Sequence, residues 1–166
     1  MSGPRIILLT ILALIAFASN SLLCRVALKQ TDIDAASFTS IRLIAGAAML
    51  WLLVRIRRNT ASGSGNWLSA LALFAYAAAF SFAYVSLTAA TGALLLFGAV
   101  QATMIGYGIW IGEKLRNQQL IGLVLAIGGL VVLLLPGLAA PPLWGSLLMM
   151  IAGAAWGVYS LRGRGA

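Results

Sequence analysis

A single arginine lies inside an apolar run. Arg42 stands in "SFTSIRLIAGAAML", within a segment from Ala35 to Val54 that is otherwise apolar, small or hydroxylated. A guanidinium can hold a carboxylate with two parallel hydrogen bonds. Counted from Ala35, it lies about 10 Å into the segment if this is a helix. Two hypotheses follow: Arg42 reaches headgroups, Asp34 or helix-end carbonyls, or it contacts a substrate carboxylate or a gate.

Other polar and aromatic side chains could line a binding surface with it. Tyr76, Phe80 and Tyr84 recur every four residues, which places them on one stripe of a helix. Asn20 and Gln101 are amides within apolar runs, where each needs a hydrogen-bond partner. These residues are candidates for substrate binding or gating, and the alternative for the aromatic stripe is helix packing or contact with lipid.

The composition argues against an enzyme. The chain has no histidine and three acids, Asp32, Asp34 and Glu113, all in predicted loops or at a helix end. No buried general base or metal cluster can be built from them. We predict no catalytic residue, no metal site and no cofactor. Proton exchange through a membrane carboxylate is also disfavoured, so neutral, zwitterionic or anionic solutes fit better.

The elements that must position these residues are membrane spans. Of 166 residues, 62% are hydrophobic and 8% are charged, a balance that a water-soluble domain of this length cannot hide. Spans need about 20 apolar residues each, and in lipid their backbone must hydrogen-bond internally. We predict an all-α polytopic membrane protein of about six helices, at 6–24, 35–54, 67–87, 93–111, 120–138 and 143–161.

Basic residues predict the orientation. Eight lie in alternate connections on the side of the N-terminus, against Arg25 and Lys29 on the other side. The positive-inside rule therefore places the N-terminus in the cytoplasm, and this placement between spans disfavours a nucleic-acid partner. Glu113, beside Lys114 and Arg116, is predicted at a cytoplasmic helix end as an interfacial ion pair or an inner gate.

Small residues predict close helix packing. Gly153 and Gly157 form a Gly-x-x-x-Gly step, and Gly122 and Gly128 lie in the fifth span. Packing within the bundle is the simpler interpretation, and dimerisation is the alternative.

The last span echoes the first. "IAGAAWGVYSLRGR" (151–164) follows the pattern of "IAFASNSLLCR" (15–25) after five intervening helices, so the second copy enters the membrane in the opposite sense. Inverted repeats are typical of transporters. We interpret 1–138 as one repeat and 139–166 as a linker and the first helix of an incomplete second repeat.

These features resemble the EamA branch of the drug/metabolite transporter superfamily. The matching pieces are "ASNSLLCRVALK", "FTSIRLIAGAAML", "FAYVSLTAATGALLLFGAVQATMIGYGIWIGEKL", the spacing of Glu113, Gly122 and Gly128, and "GAAWGVYSLRGR". The resemblance implies ten helices in two inverted repeats, with Trp156 and Tyr159 facing the transport path.

The resemblance also implies a function. We expect a bacterial inner-membrane carrier that exports or exchanges amino acids or similar amphipathic metabolites by alternating access. The chain covers about one repeat, so we expect a partial product whose path needs the missing second repeat or a second chain. The alternatives are a short carrier subunit acting as a homo-oligomer, or a membrane interaction or assembly protein without transport activity.

Overall fold

The computed structural model describes residues 3–57, 65–134 and 141–163, and within these ranges all regular structure is helical. Six helices follow one another along the chain: α1 (Gly3–Gln30), α2 (Ala35–Arg57), α3 (Trp67–Ser86), α4 (Ala89–Trp110), α5 (Asn117–Leu134) and α6 (Leu143–Gly163). Five of these described helices, α1, α2, α3, α4 and α6, are long and apolar enough to cross a membrane. The predicted all-α polytopic class is confirmed.

Helix ends depart from the predicted spans where polar residues continue or cap a helix. α1 runs on past Cys24 to Gln30, because a helix can extend beyond the hydrocarbon layer. α4 begins at Ala89 rather than Ala93, because the Thr88 side-chain oxygen accepts a hydrogen bond from the Thr91 N–H at 3.2 Å. The predicted end of the fifth span, 135–138, lies outside the described residues. Apolar length located each helix, and local capping decided its ends.

The core forms around α6. This helix packs most extensively against α3 and α4, whereas α1 and α2 contact mainly α3, and α5 touches only α4 among the described helices. Phe80, Tyr84, Leu87, Leu96 and Met149 are all buried there at 2% exposure or less. The last described helix is therefore the centre of the bundle and not an appendage to it.

Glycine allows α6 to approach α4 closely. A Cβ at Gly153 would lie 2.5 Å from the Leu96 carbonyl oxygen, and one at Gly157 would lie 2.8 Å from the Thr103 Cβ. A Cβ at Gly122 or Gly128 would meet no atom within 4 Å. The packing expected of Gly122 and Gly128 inside the bundle is therefore not found among the described residues, since α5 stands at the edge of the bundle.

Asp34 caps the start of α2. Its Oδ2 atom accepts hydrogen bonds from the backbone N–H groups of Ala36 and Ser37, both at 2.9 Å. Such a cap satisfies amides that have no partner in the first turn. The hydrogen bonds from Ser37, together with that from Ala36, hold the pKa of the Asp34 carboxyl below its ordinary value.

Acidification is therefore expected to weaken the start of α2. The ionised carboxylate stabilises the folded state above the ordinary aspartate pKa, and this contribution is lost as the pH falls through the lowered pKa. Asp34→Asn keeps a side-chain acceptor at the cap but cannot titrate. Thermal unfolding of both proteins in nanodiscs between pH 7 and 3 should show a smaller acid effect in the variant. Equal acid sensitivity would contradict this role of Asp34.

Candidate functional site

Arg42 points into the helix bundle. Its Nη1 donates to the Ser81 Oγ at 3.3 Å, and its Nη2 donates to the Asn20 Oδ1 at 3.4 Å. The side chain is half-buried. Asp34, a partner considered from the sequence, instead caps its own helix. The guanidinium thus donates to two neutral side chains, one from α1 and one from α3.

Two aromatic rings flank the guanidinium. The Arg42 Cζ lies 5.0 Å from the ring centre of Phe80 and 5.5 Å from that of Phe38. Both distances fall in the range of cation–π attraction, which strengthens where water is excluded. These rings and the two hydrogen bonds position the charge without neutralising it.

A cavity of about 440 Å³ opens beside Arg42 between α2 and α3. Besides Arg42, its walls are Leu43, Gly46, Ala47, Leu50, Leu73, Tyr76 and Ala77. We call this space the Arg42 cavity. Apolar walls with a few converging polar groups, at this volume, are typical of small-molecule sites.

Stacked rings extend from this cavity through the bundle. Successive ring centres along the chain Tyr84, Phe80, Tyr76, Trp156 and Phe17 lie 4.8, 5.4, 4.7 and 5.2 Å apart. Edge-to-face and tilted pairs at these separations attract one another. The predicted stripe on α3 is therefore joined to α6 and α1, and Trp156 links the three helices.

The structure brings together six of the eight candidates in one series of contacts and separates the other two. Asn20 and Phe80 contact the Arg42 guanidinium, Tyr76 packs against Phe80, and Trp156 packs edge-on against Tyr76. Tyr84 lies one ring further along α3. Two candidates lie elsewhere, as described next.

Gln101 and Tyr159 are outside the Arg42 cavity. Gln101 is exposed and borders a separate cavity of about 310 Å³ between α4 and α5, which Phe97 also lines. Tyr159 is 39% exposed. The helical position of each residue was read correctly from the sequence, but the side on which α5 and α6 pack could not be inferred from it.

Glu113 folds back onto α4. Its backbone N–H donates to the Gly108 carbonyl at 2.9 Å, and its Oε2 would lie 2.7 Å from a Cβ at Gly108. The intervening Gly112 has φ of 91°, a backbone conformation that favours glycine. A tight turn thus places this carboxylate against the helix end, and its role as ion pair or gate stays a prediction.

Arg25 makes a helix-end contact that its sequence position did not indicate. Its Nη1 donates to the carbonyls of Tyr84 at 2.7 Å and Val85 at 3.3 Å, at the C-terminal end of α3. Terminal carbonyls lack helical partners, so a basic side chain satisfies them. Arg25, and not Arg42, makes the helix-end contact considered from the sequence. Ser81 and Phe38 were also overlooked, since one serine or phenylalanine in an apolar helix carries little signal.

A bundle of long apolar helices places this chain in the class of polytopic α-helical membrane proteins. Residues 4–135 match the sequence pattern of the EamA-like transporter family. The chain belongs to this family of membrane transporters.

Two curated relatives are longer than this chain. It is 60% identical to an uncharacterized protein of Pseudomonas aeruginosa, over 99% of the chain and 58% of that protein. It is 27% identical to an uncharacterized transporter of Archaeoglobus fulgidus, over 94% of the chain and 56% of that protein. The chain thus spans little more than half the length of these relatives. No solved structure gives a significant match.

Proposed function

We propose that this chain forms one wall of a carrier that exports or exchanges small amphipathic metabolites, amino acids among them, across the bacterial inner membrane. In this proposal the Arg42 cavity is part of the substrate path, and alternating access moves the solute. The N-terminus lies in the cytoplasm, as the distribution of basic residues favours. Membership of the EamA-like transporter family supports the general function.

The observation that carries the proposal is a charge held by neutral partners beside a cavity. All three acids of the chain, Asp32, Asp34 and Glu113, lie in connections between helices. Arg42 therefore cannot find a carboxylate within a helix of this chain. Ionisable groups inside a membrane are costly and mark solute pathways. A solute carboxylate would supply the counter-charge that the bundle lacks.

The repeat pattern supports a second wall. If the register of the echo is continued toward the N-terminus, Leu9, Ala13 and Phe17 of α1 correspond to Gly145, Met149 and Gly153 of α6. The three α6 residues are buried in the bundle. Their α1 counterparts are exposed.

We infer that α1 packs against helices equivalent to α3 and α4, supplied by an inverted second repeat. This agrees with the division of the chain into 1–138 and 139–166. The second repeat would also complete the path beside the Arg42 cavity, since two oppositely oriented halves can exchange inward-open and outward-open states.

A second chain could instead supply the missing wall. The glycines Gly122, Gly128 and Gly129 on α5 face open space in the described structure. Small residues on an unpartnered membrane helix favour contact with another helix. This observation favours a homo-oligomeric carrier as the second candidate.

Solute flux through a chimera should test the proposal. This chain would replace the matching 58% of the Pseudomonas aeruginosa relative, and the chimera would be reconstituted in proteoliposomes. We expect counterflow of labelled amphipathic carboxylates or amino acids, whereas the chain reconstituted alone should be monomeric and inactive. The control is protein-free liposomes.

The outcomes separate the candidates. Flux by the chain alone, together with a dimer in native mass measurement, would replace the first candidate with the second. A monomeric chain and an inactive but folded chimera would contradict transport and leave an assembly role for the protein.

A further inference from the structure

We propose that the Arg42 cavity recognises amphipathic monocarboxylates by the carboxylate alone and has no subsite for an α-ammonium group. This inference rests on the proposed function and narrows its substrate class. A carboxylic acid that lacks the amino group should therefore bind at least as well as the corresponding amino acid.

The hydrogen-bonding groups around the cavity offer donors. Arginine carries five N–H donors and accepts none. Two of its nitrogens are engaged, one by Ser81 and one by Asn20, both at long distances. The Asn20 Oδ1 accepts one of these bonds, and the amide N–H groups of Asn20 are donors. Both groups match the oxygens of a carboxylate.

Two hydroxyl groups near Arg42 are already engaged with helix carbonyls. The Ser81 Oγ accepts from Arg42 and donates to the Ala77 carbonyl at 2.9 Å. The neighbouring Thr39 hydroxyl donates to the Ala35 carbonyl at 2.7 Å. An ammonium group has three donors and needs acceptors or a negative charge. Neither oxygen is placed to satisfy it. The Tyr76 hydroxyl lines the cavity beside Arg42, but it is a single neutral oxygen and supplies no negative charge.

Electrostatics disfavour a second cation at the same place. The guanidinium of Arg42 already lies over the Phe38 and Phe80 rings. Because a cation already occupies these two ring faces, they do not offer a cation–π site to an ammonium group. All three acids of the chain lie outside the helices. An ammonium drawn into the cavity would meet like charge in a medium that screens it poorly. The favoured ligand is therefore a net anion.

The remaining walls fit an apolar body. Leu43, Gly46, Ala47, Leu50 and Leu73 contribute no polar side chain, and Tyr76 adds an aromatic face and one hydroxyl. A ring or branched chain would bury apolar area there while its carboxylate meets Arg42. The inferred ligand class is a small carboxylate with one aromatic or aliphatic end.

Three ligands with the same ring can test this inference. The full chain in nanodiscs would be titrated with 3-phenylpropionate, phenylalanine and 2-phenylethylamine, and binding followed by tryptophan fluorescence and thermal shift. We expect phenylpropionate to bind with a dissociation constant equal to or below that of phenylalanine. The amine should show no saturable binding.

Two variants complete the test. Arg42→Gln is expected to weaken phenylpropionate binding by about 10- to 100-fold, the range for loss of a charge-assisted hydrogen-bonded contact. The matched control is Arg55→Gln on the same helix, because Arg55 stacks on Trp51 at 4.5 Å and does not line the cavity. Its ligand affinities should equal those of the unchanged chain.

Each other result overturns the inference. Phenylalanine binding tenfold more tightly than phenylpropionate would show an ammonium subsite and leave the proposed carrier function intact. Saturable binding of the amine would show that Arg42 does not select the ligand. An equal loss of phenylpropionate affinity in Arg42→Gln and Arg55→Gln would show the same. Absence of binding by all three ligands would also reject it, while flux through the chimera judges the carrier function separately. The ligand ranking is measured on the unchanged chain, so it does not depend on folding of a variant.

Discussion

Replacing Arg42 with glutamine is expected to reduce carboxylate flux through the chimeric carrier by about 10- to 100-fold, as loss of a charge-assisted contact should. The flux of Arg42→Lys should lie between that of the unchanged chimera and that of Arg42→Gln, because lysine keeps the charge but cannot present two parallel donors. Flux would be measured as initial counterflow rates in proteoliposomes.

The same variants should barely change the stability of the protein. The two hydrogen bonds of Arg42 to Ser81 and Asn20 are long, at 3.3 and 3.4 Å, and both acceptors are neutral. Removing an uncompensated charge from an apolar bundle relieves a desolvation cost. We therefore expect an unchanged or higher Tm for Arg42→Gln. Unchanged flux with a lowered Tm would instead assign Arg42 to structure, and Arg55→Gln serves as the control for a lost arginine.

The second large effect is expected at the contact between α4 and α6. Gly153→Leu should destabilise the bundle by about 3 kcal/mol or more, at or beyond the upper range for overpacking. The new Cβ would meet the Leu96 carbonyl oxygen at 2.5 Å and the Ala99 Cβ at 2.6 Å, so the two helices would have to separate. Thermal unfolding in nanodiscs and recovery of monodisperse protein would measure the loss.

Gly128→Leu is the matched control for this substitution. It also lies in an apolar helix, but a Cβ there meets no atom within 4 Å. We expect little change in Tm for the isolated chain. Equal destabilisation by both variants would mean that loss of glycine itself, and not the contact with α4, causes the effect. If Gly128→Leu lowers only the flux of the chimera, α5 contacts another helix in the assembled carrier.

Much of the fold could be predicted from the sequence because the membrane imposes it. Apolar length sets where helices lie, and an interior without water obliges them to be helical. The location of Arg42, Asn20 and the Tyr76 stripe within these helices followed directly. The sequence could not show that α6 packs between α3 and α4. The glycines of α6 permit close approach of another helix but do not indicate which helix it is.

The candidate site was predicted in part for the same reason. Periodicity along one helix places Tyr76, Phe80 and Tyr84 on a single face, and that face is buried. Gln101 on α4 looked equally suited to a binding wall, yet it borders α5 and not the Arg42 cavity. Which faces of different helices meet depends on packing between them, and each helix is too uniformly apolar to reveal it.

The class of this protein follows from its sequence alone: an all-helical membrane chain with one arginine inside an apolar span, no histidine, and acids confined to the connections. Composition and apolar length suffice for that, because lipid tolerates few alternatives. Packing between the helices is what turns Arg42 toward Asn20 and Ser81 between two aromatic rings and brings Arg25 to the end of α3. The cap that Asp34 forms on α2 is likewise visible only in the folded chain. The partners of Arg42 and Arg25 come from other helices of the chain, and the contacts of their side chains depend on how those helices pack.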